Sequence, residues 1–194
     1  AGDAWASQSW GGPIHTVRVS SMYVGRYEVT VQQYAEFLNS AIARGTIEVR
    51  GGVVYGRGGS DTYFTTRQTD EYSPIDWDGT SFAVLDNRGD HPVTSVRWFG
   101  ATAYANWLSA LSGVDLRLPA EAQWEKAARG ADGRIYPWSN DWDAARCNTG
   151  ESKIGKTSPV GCYSPAGDSP SGCADMIGNV WEWCQDWFAE YPKE

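Results

Sequence analysis

The stretch from Cys173 to Trp187, CADMIGNVWEWCQDW, crowds oxygen donors, indoles and thiols together. Asp175 and Glu182 flank a Gly178-Asn179 turn, so two carboxylates with exposed carbonyls between them could close around a hard cation. Calcium suits such a turn because it binds oxygen alone, takes about six to eight ligands and accepts backbone carbonyls beside Asp, Asn and Glu. A similar loop, CNTGES, offers Asn148 and Glu151. Residue type by itself leaves a second reading open, in which these carboxylates only accept hydrogen bonds from loop amides.

Other chemistries lack their residues. His15 and His91 are the two histidines and neither lies in an HxxxH or HExxH pattern, which argues against a histidine-rich zinc or iron site. His91, in GDHPVTSV, reads as a structural hydrogen-bonding residue. No GxxxxGK[ST] or GxGxxG loop follows a strand, so nucleotide binding is not expected. There is no GxSxG elbow, and the sequence brings no carboxylate pair to the spacing that glycoside hydrolysis needs. Cys147, Cys162, Cys173 and Cys184 are separated by 14, 10 and 10 residues, unlike the short CxxC knuckles of zinc sites. Their even number allows three disulfide pairings in an oxidising compartment, and buried free thiols remain the alternative.

The formal charge of −8 argues against nucleic acid or an anionic membrane surface as partner, since both require clustered Lys and Arg. No apolar run approaches the ~20 residues of a membrane span, so membrane insertion is not expected. Hydrophobic residues make up 41% of the 194 and charged residues 21%, a balance that supports a real core and a single domain. With 11 Trp and 10 Tyr, aromatic rings are expected to fill much of the interior.

The positioning elements follow from periodicity. HTVRVSSMYVGRYEVT alternates around Val17 and Val19 and again around Tyr23, Tyr27 and Val29, which predicts two strands about a bend. TVQQYAEFLNSAIARG opens with a Thr30 to Gln33 capping box and spaces Tyr34, Phe37, Leu38, Ala41 and Ile42 as a helix ending at Gly45. Residues 46–90 read as a β-rich insertion, with hairpins turning at Gly51-Gly52 and Asp78-Gly79. A second helix is predicted in RWFGATAYANWLSALSG, with Ala103, Tyr104, Trp107, Leu108 and Leu111 inward and Gly113 as its stop. A third is predicted in LPAEAQWEKAARG, with Trp124, Ala127 and Ala128 inward and Gly130 beyond its end. From 131 to 170 no period survives, and a loop that long must be pinned by disulfides, aromatic packing or metal.

The order of the phrases GRYEVTVQQYAEF, HPVTSVRWFGATAYANWL, LRLPAEAQWEKAARG, YPWSNDW, SPVG and GCADMIGNVWEWCQDW resembles the formylglycine-generating enzyme (sulfatase-modifying factor) family. The resemblance runs from about Pro13 to Trp187 and is weakest over 46–90. It implies an α+β fold, a C-type-lectin-like variant with little regular secondary structure, about three helices, small twisted antiparallel sheets and long loops. It also implies that the tryptophans of GNVWEW lie in the core. Carried over by position, it implies one calcium ion on Asp175, Glu182 and the carbonyls of Gly178 and Val180. A second ion would map to Asn148, the Thr149 carbonyl, Ser152 and the Ile154 carbonyl. Related sequences with GC before DM and WEWC after it imply a Cys173–Cys184 disulfide.

Three departures from the family pattern matter. Ala120 stands where the family has a capping Thr, a loss of about 1 kcal/mol. Ser139 stands where the family has a Gly that allows a positive φ. The copper-binding cysteine pair of the family's oxygen-using enzymes lies beyond GNVWEW, and none of the four cysteines occupies those positions, so no catalytic residue carries over. The expectation is a single domain over 1–194, incomplete at its C-terminus, acting as a calcium-stabilised binding or accessory module. The alternative is the larger part of an oxygen-dependent formylglycine-generating or related oxidoreductase whose catalytic segment lies beyond Glu194. Whether the chain is an enzyme stays open, and copper enters only with such a segment. The expected partner is a protein or small ligand, or a C-terminal fragment of the same protein. An extracytoplasmic location is expected from the calcium ligands and the even cysteine count.

Overall fold

A computed structural model describes residues 15–189; the start of the resemblance at Pro13 and the chain ends at Ala1 and Glu194 lie outside the described residues. Helix α1, Val31–Ala43, begins at the predicted capping box. Gln33 N–H donates to Thr30 Oγ1 at 3.2 Å while Thr30 N–H donates to Gln33 Oε1 at 3.0 Å. Its apolar stripe buries Val31, Tyr34, Phe37, Leu38 and Ala41, and Ile42 packs at the margin.

The next segment builds two small antiparallel sheets. Strands β1, Ile47–Arg50, and β2, Val53–Gly56, pair with Val49 opposite Val54 around the predicted Gly51-Gly52 turn. Strand β3, Thr62–Thr65, adds to β2 beyond a register shift at Val54/Tyr55, an element that the sequence reading did not anticipate. Strands β4, Ile75–Trp77, and β5, Phe82–Val84, form the second hairpin. Its turn is held by Asp78, whose Oδ1 accepts from the amides of Thr80 and Ser81 at 2.7 and 2.8 Å. Residues 46–90 supply a wall of the main core, since Ile47, Val54, Phe64, Ile75 and Phe82 join the α1 stripe in one cluster.

Helix α2, Trp98–Ser112, ends at Gly113 as expected and closes that cluster with Tyr104, Ala103, Trp107 and Leu108. Leu111 does not join them: it is exposed, because the last turn of α2 runs past the edge of the core. Helix α3, Glu121–Arg129, buries Ala127 and Ala128 against Cys173 and Met176 in a second, smaller cluster, with Trp124 beside them. Three helices and two antiparallel sheets make the expected α+β class.

Several expectations are corrected. Residues 15–30 form no strand beyond a single bridge from Thr30 to Pro92, and Val17, Tyr23 and Tyr27 are exposed. Neighbouring backbone reaches this segment only at isolated points, Ala174 N–H to the Arg26 carbonyl at 2.8 Å and Val93 N–H to the Val29 carbonyl at 2.9 Å, and alternation alone does not make a strand without a ladder. Ser139 is not among the residues with positive φ, so the Gly-to-Ser departure carries no strain there. The interior rings are Tyr34, Phe37, Phe64, Phe82 and Tyr104, and no tryptophan of the described residues is fully buried.

Ala120 does start α3 without a side-chain cap, and the loss is made good from a distance. Glu121 N–H donates to Asp186 Oδ2 at 2.7 Å, placing a carboxylate at the positive end of the helix. Residues 131–170 are pinned partly by aromatic packing, with Tyr136 stacked on Trp138 at 5.8 Å and Trp142 against both. Further ties are Arg146 Nη1 to the Ala166 carbonyl at 2.7 Å and the Val160 amide to the Asp90 carbonyl at 2.9 Å.

Candidate functional site

The Asp175-to-Glu182 turn sits where the 131–170 loop, the strandless 15–30 segment and α3 meet. Asp175 and Asn179 adopt left-handed φ values of 55° and 57°, with Gly178 at 85° between them. A β-carbon on Gly178 would lie 2.2 Å from the Asn148 carbonyl oxygen, so only glycine permits this approach. There Asn179 N–H donates to the Asn148 carbonyl at 2.8 Å, joining the two loops that the sequence reading singled out separately.

Glu28 completes the cluster, and the sequence reading missed it. It lies in GRYEVT, far from the turn in sequence, and only the family phrase marked that segment. Glu28 Oε1 accepts from Asn179 Nδ2 at 3.0 Å, whereas its Oε2 is buried with no hydrogen-bond partner. Burial is the main cause that pushes the Glu28 carboxyl up to about 8, and the charges of Asp175 and Glu182 add to it. Asp175 is itself buried, which raises its pKa although Oδ2 accepts from Gly161 N–H at 2.5 Å. Glu182 is raised first by loss of water around it and then by the charge of Asp175, while Trp124 Nε1–H donates to its Oε2 at 3.1 Å and lowers it. Glu182 keeps an exposed surface, so screening by water makes its shift count for less than that of Glu28.

Burial raises all three carboxyls, the charge of Asp175 adds to the shifts of Glu28 and Glu182, and one Glu28 oxygen is buried without a partner, so a hard dication would find oxygen donors here. The Gly178 and Val180 carbonyls, the other two oxygens of the expected set, accept no backbone hydrogen bond from a described residue. Side chains alone do not make the site: among the described residues no three His, Cys, Asp or Glu groups converge as a metal centre. Carbonyl oxygens would have to complete the coordination.

The second expected set fits poorly. Asn148 is buried, but its Nδ2 donates to the Lys156 carbonyl and to Ser158 Oγ, both at 2.8 Å, as a loop-joining hub. The Thr149 carbonyl accepts from Ser152 Oγ at 2.6 Å, and Ile154 is 40% exposed. No carboxylate belongs to this set, so its oxygens satisfy one another and offer a dication little charge.

Cys173 and Cys184 are separate thiols rather than the expected clamp, and Cys147 and Cys162 are free as well. Cys173 faces the α3 cluster, whereas the backbone at Cys184 is turned toward α2, its carbonyl accepting from Trp98 Nε1–H at 2.9 Å. His91 has the structural role expected of it, its Nδ1 lying 2.9 Å from Thr157 Oγ1.

The GNVWEW tryptophans are not in the core. Trp181 is 101% exposed and Trp187 82%, with Trp183 about half-exposed. Polar ties hold the segment and leave the rings outside: Trp183 Nε1–H donates to the Val96 carbonyl at 3.1 Å, and the Gln185 amide donates to the Pro119 carbonyl at 2.8 Å.

Comparison with known proteins places this geometry among relatives. A family model described as the sulfatase-modifying factor enzyme 1-like domain matches residues 2–193. The chain is 33% identical to the formylglycine-generating enzyme of Thermomonospora curvata, over 92% of this chain and 64% of that protein. It is 35% identical to the hercynine oxygenase of Mycolicibacterium smegmatis, over 93% of this chain and 40% of that protein. The structure of PvdO from Pseudomonas aeruginosa matches with a TM-score of 0.62 at 23% identity, over 96% of this chain and 65% of that one, which shows a shared fold. The chain therefore spans less than two thirds of the length of these curated relatives.

Proposed function

This chain belongs to the sulfatase-modifying factor enzyme 1-like family, and from that premise we propose that it is a calcium-stabilised, C-type-lectin-like domain acting as a binding or accessory module. Asp175, Glu182 and the Gly178 and Val180 carbonyls would hold the ion, with Glu28 beside them. A bound dication would neutralise the crowded carboxylates and lock the turn against the Asn148 loop. An extracytoplasmic location, where calcium is plentiful, accords with this reading.

The state of the thiols carries the non-catalytic part of the proposal. Burial pushes the pKa of Cys147, Cys162, Cys173 and Cys184 upward in every case, and neighbouring carboxylates add to it. A thiol that attacks as a nucleophile near neutral pH needs the opposite shift, which a soft-metal ligand would gain only from the metal itself.

The exposed indole face favours a second reading, in which further polypeptide of the same protein covers Trp181 and Trp187 and brings the chemistry of an oxygen-dependent formylglycine-generating or related enzyme. The similarity to enzymes that are longer than this chain supports it.

Oxygen consumption by the protein together with any polypeptide that follows Glu194, loaded with Cu(I) and given a cysteine-containing peptide, separates the two, because the second reading places the chemistry outside this chain. The first reading expects no copper-dependent uptake; uptake would overturn it in favour of the second. Calcium retained after gel filtration, measured by elemental analysis, tests the ion, and less than one equivalent would sink that part.

A further inference from the structure

A cleft of about 100 Å³ opens between α2 and the segment that leads into α3, away from the carboxylate cluster. Trp98 forms one wall, its indole fixed by the bond to the Cys184 carbonyl and by stacking on Trp187 with centroids 6.0 Å apart. One helical turn further along α2, Thr102 Oγ1 is buried and has no hydrogen-bond partner. Arg117 stands at the rim, exposed, with neither an ion pair nor a hydrogen bond to any described residue. Asn106 and Gln185 bring two side-chain carboxamides that are likewise unengaged.

A buried hydroxyl without a partner costs stability, and the exposed, hydrated guanidinium of Arg117 has no ion pair to break before it takes an anion from solution. The two together describe a complementary shape. A planar guanidinium offers parallel N–H donors to a carboxylate, the hydroxyl and carboxamides supply neutral donors around it, and the indole lines the side where an apolar body would lie. One cation matches an anion of single charge; a phosphate dianion would call for more positive charge than the cleft holds.

We infer that this cleft binds a small monocarboxylate, with Arg117 pairing the carboxylate and Thr102 Oγ1 completing its hydrogen bonds. The inference stands apart from the calcium reading, because it uses none of its residues, and it shares with the oxidase reading only Trp187, which positions Trp98.

The test is a titration of the full chain with benzoate, followed by amide and indole N–H shifts in two-dimensional NMR, with benzamide as the uncharged match. Saturable shifts confined to Trp98, Thr102, Asn106, Arg117 and Gln185 are expected with millimolar benzoate and not with benzamide. Arg117→Gln, at an exposed position that leaves the fold intact, is expected to weaken binding about tenfold or more. Thr102→Val is expected to weaken it less, and Thr102→Ser to restore it. Absence of saturation, an equal response to benzamide, or unchanged binding by Arg117→Gln would each overturn the assignment, leaving the cleft to water alone.

Discussion

The Tyr63 carbonyl oxygen lies 2.1 Å from the point that a β-carbon on Gly100 would occupy, with the Tyr34 hydroxyl 2.6 Å away on the same side. Helix α2 thus rests its first turn directly on the backbone of β3, where Arg97 N–H also donates to the Tyr63 carbonyl at 2.9 Å. Gly100→Ala must push helix and sheet apart, and we expect a loss of about 3 kcal/mol. Urea unfolding measures it; a change below about 0.5 kcal/mol would show that the contact yields.

Asp186 caps α3 in place of the missing Thr at 120. Asp186→Ala is expected to cost about 1 kcal/mol, and Ala120→Thr to recover part of that loss in the double variant. Thermal unfolding of the four-member cycle decides, and strictly additive effects would mean that the two residues do not serve the same helix end.

Glu28 ties stability to pH. Its carboxyl titrates near 8 when folded against a reference value of 4.5, so the folded state holds the proton more tightly. Its contribution is fully present below about 4.5 and is lost as pH rises through about 8, in the absence of a divalent cation. Stability of the calcium-free chain should therefore fall across that window, and Glu28→Gln should flatten the fall. A slope that is the same in wild type and Glu28→Gln would contradict this assignment.

Calcium should act most strongly at the upper end of the same window, where the carboxylates are ionised. The midpoint of thermal unfolding is expected to rise with calcium at pH 8, and the rise to shrink in Asp175→Asn and Glu182→Gln. Equal responses in these variants and in the wild type would place the ion elsewhere.

The four cysteines should titrate as four free thiols in denaturant without reductant. In the native chain only Cys162 is exposed and should react first, slowly, because its pKa is raised. Two thiols missing in denaturant would restore the Cys173–Cys184 pairing.

Local signals were strong where one element decides its own fate. The Thr30–Gln33 box, the stop at Gly113 and the Gly51-Gly52 turn act within a few residues, and each is where the sequence placed it. Residues 15–30 show the limit: their alternation is equally plain, yet no strand forms, because pairing depends on backbone that lies elsewhere. Strand β3 is the converse, an element created by the edge that β2 offers.

The candidate site divides in the same way. Asp175, Gly178 and Glu182 are neighbours along the chain, so their turn was legible from spacing and from the family phrase. Glu28, the Asn148 contact and the outward tryptophans were not, since long-range packing decides which carboxylate meets which and which side of a segment faces water. The sequence by itself determined the helices, the hairpins, the family and a turn of oxygen donors. Only the tertiary structure decided that Glu28 crowds that turn, that Asp186 caps α3 and that the indoles lie outside. Capping and turn preferences act between residues a few bonds apart, whereas burial and charge–charge coupling depend on distances that the chain sets only when it folds.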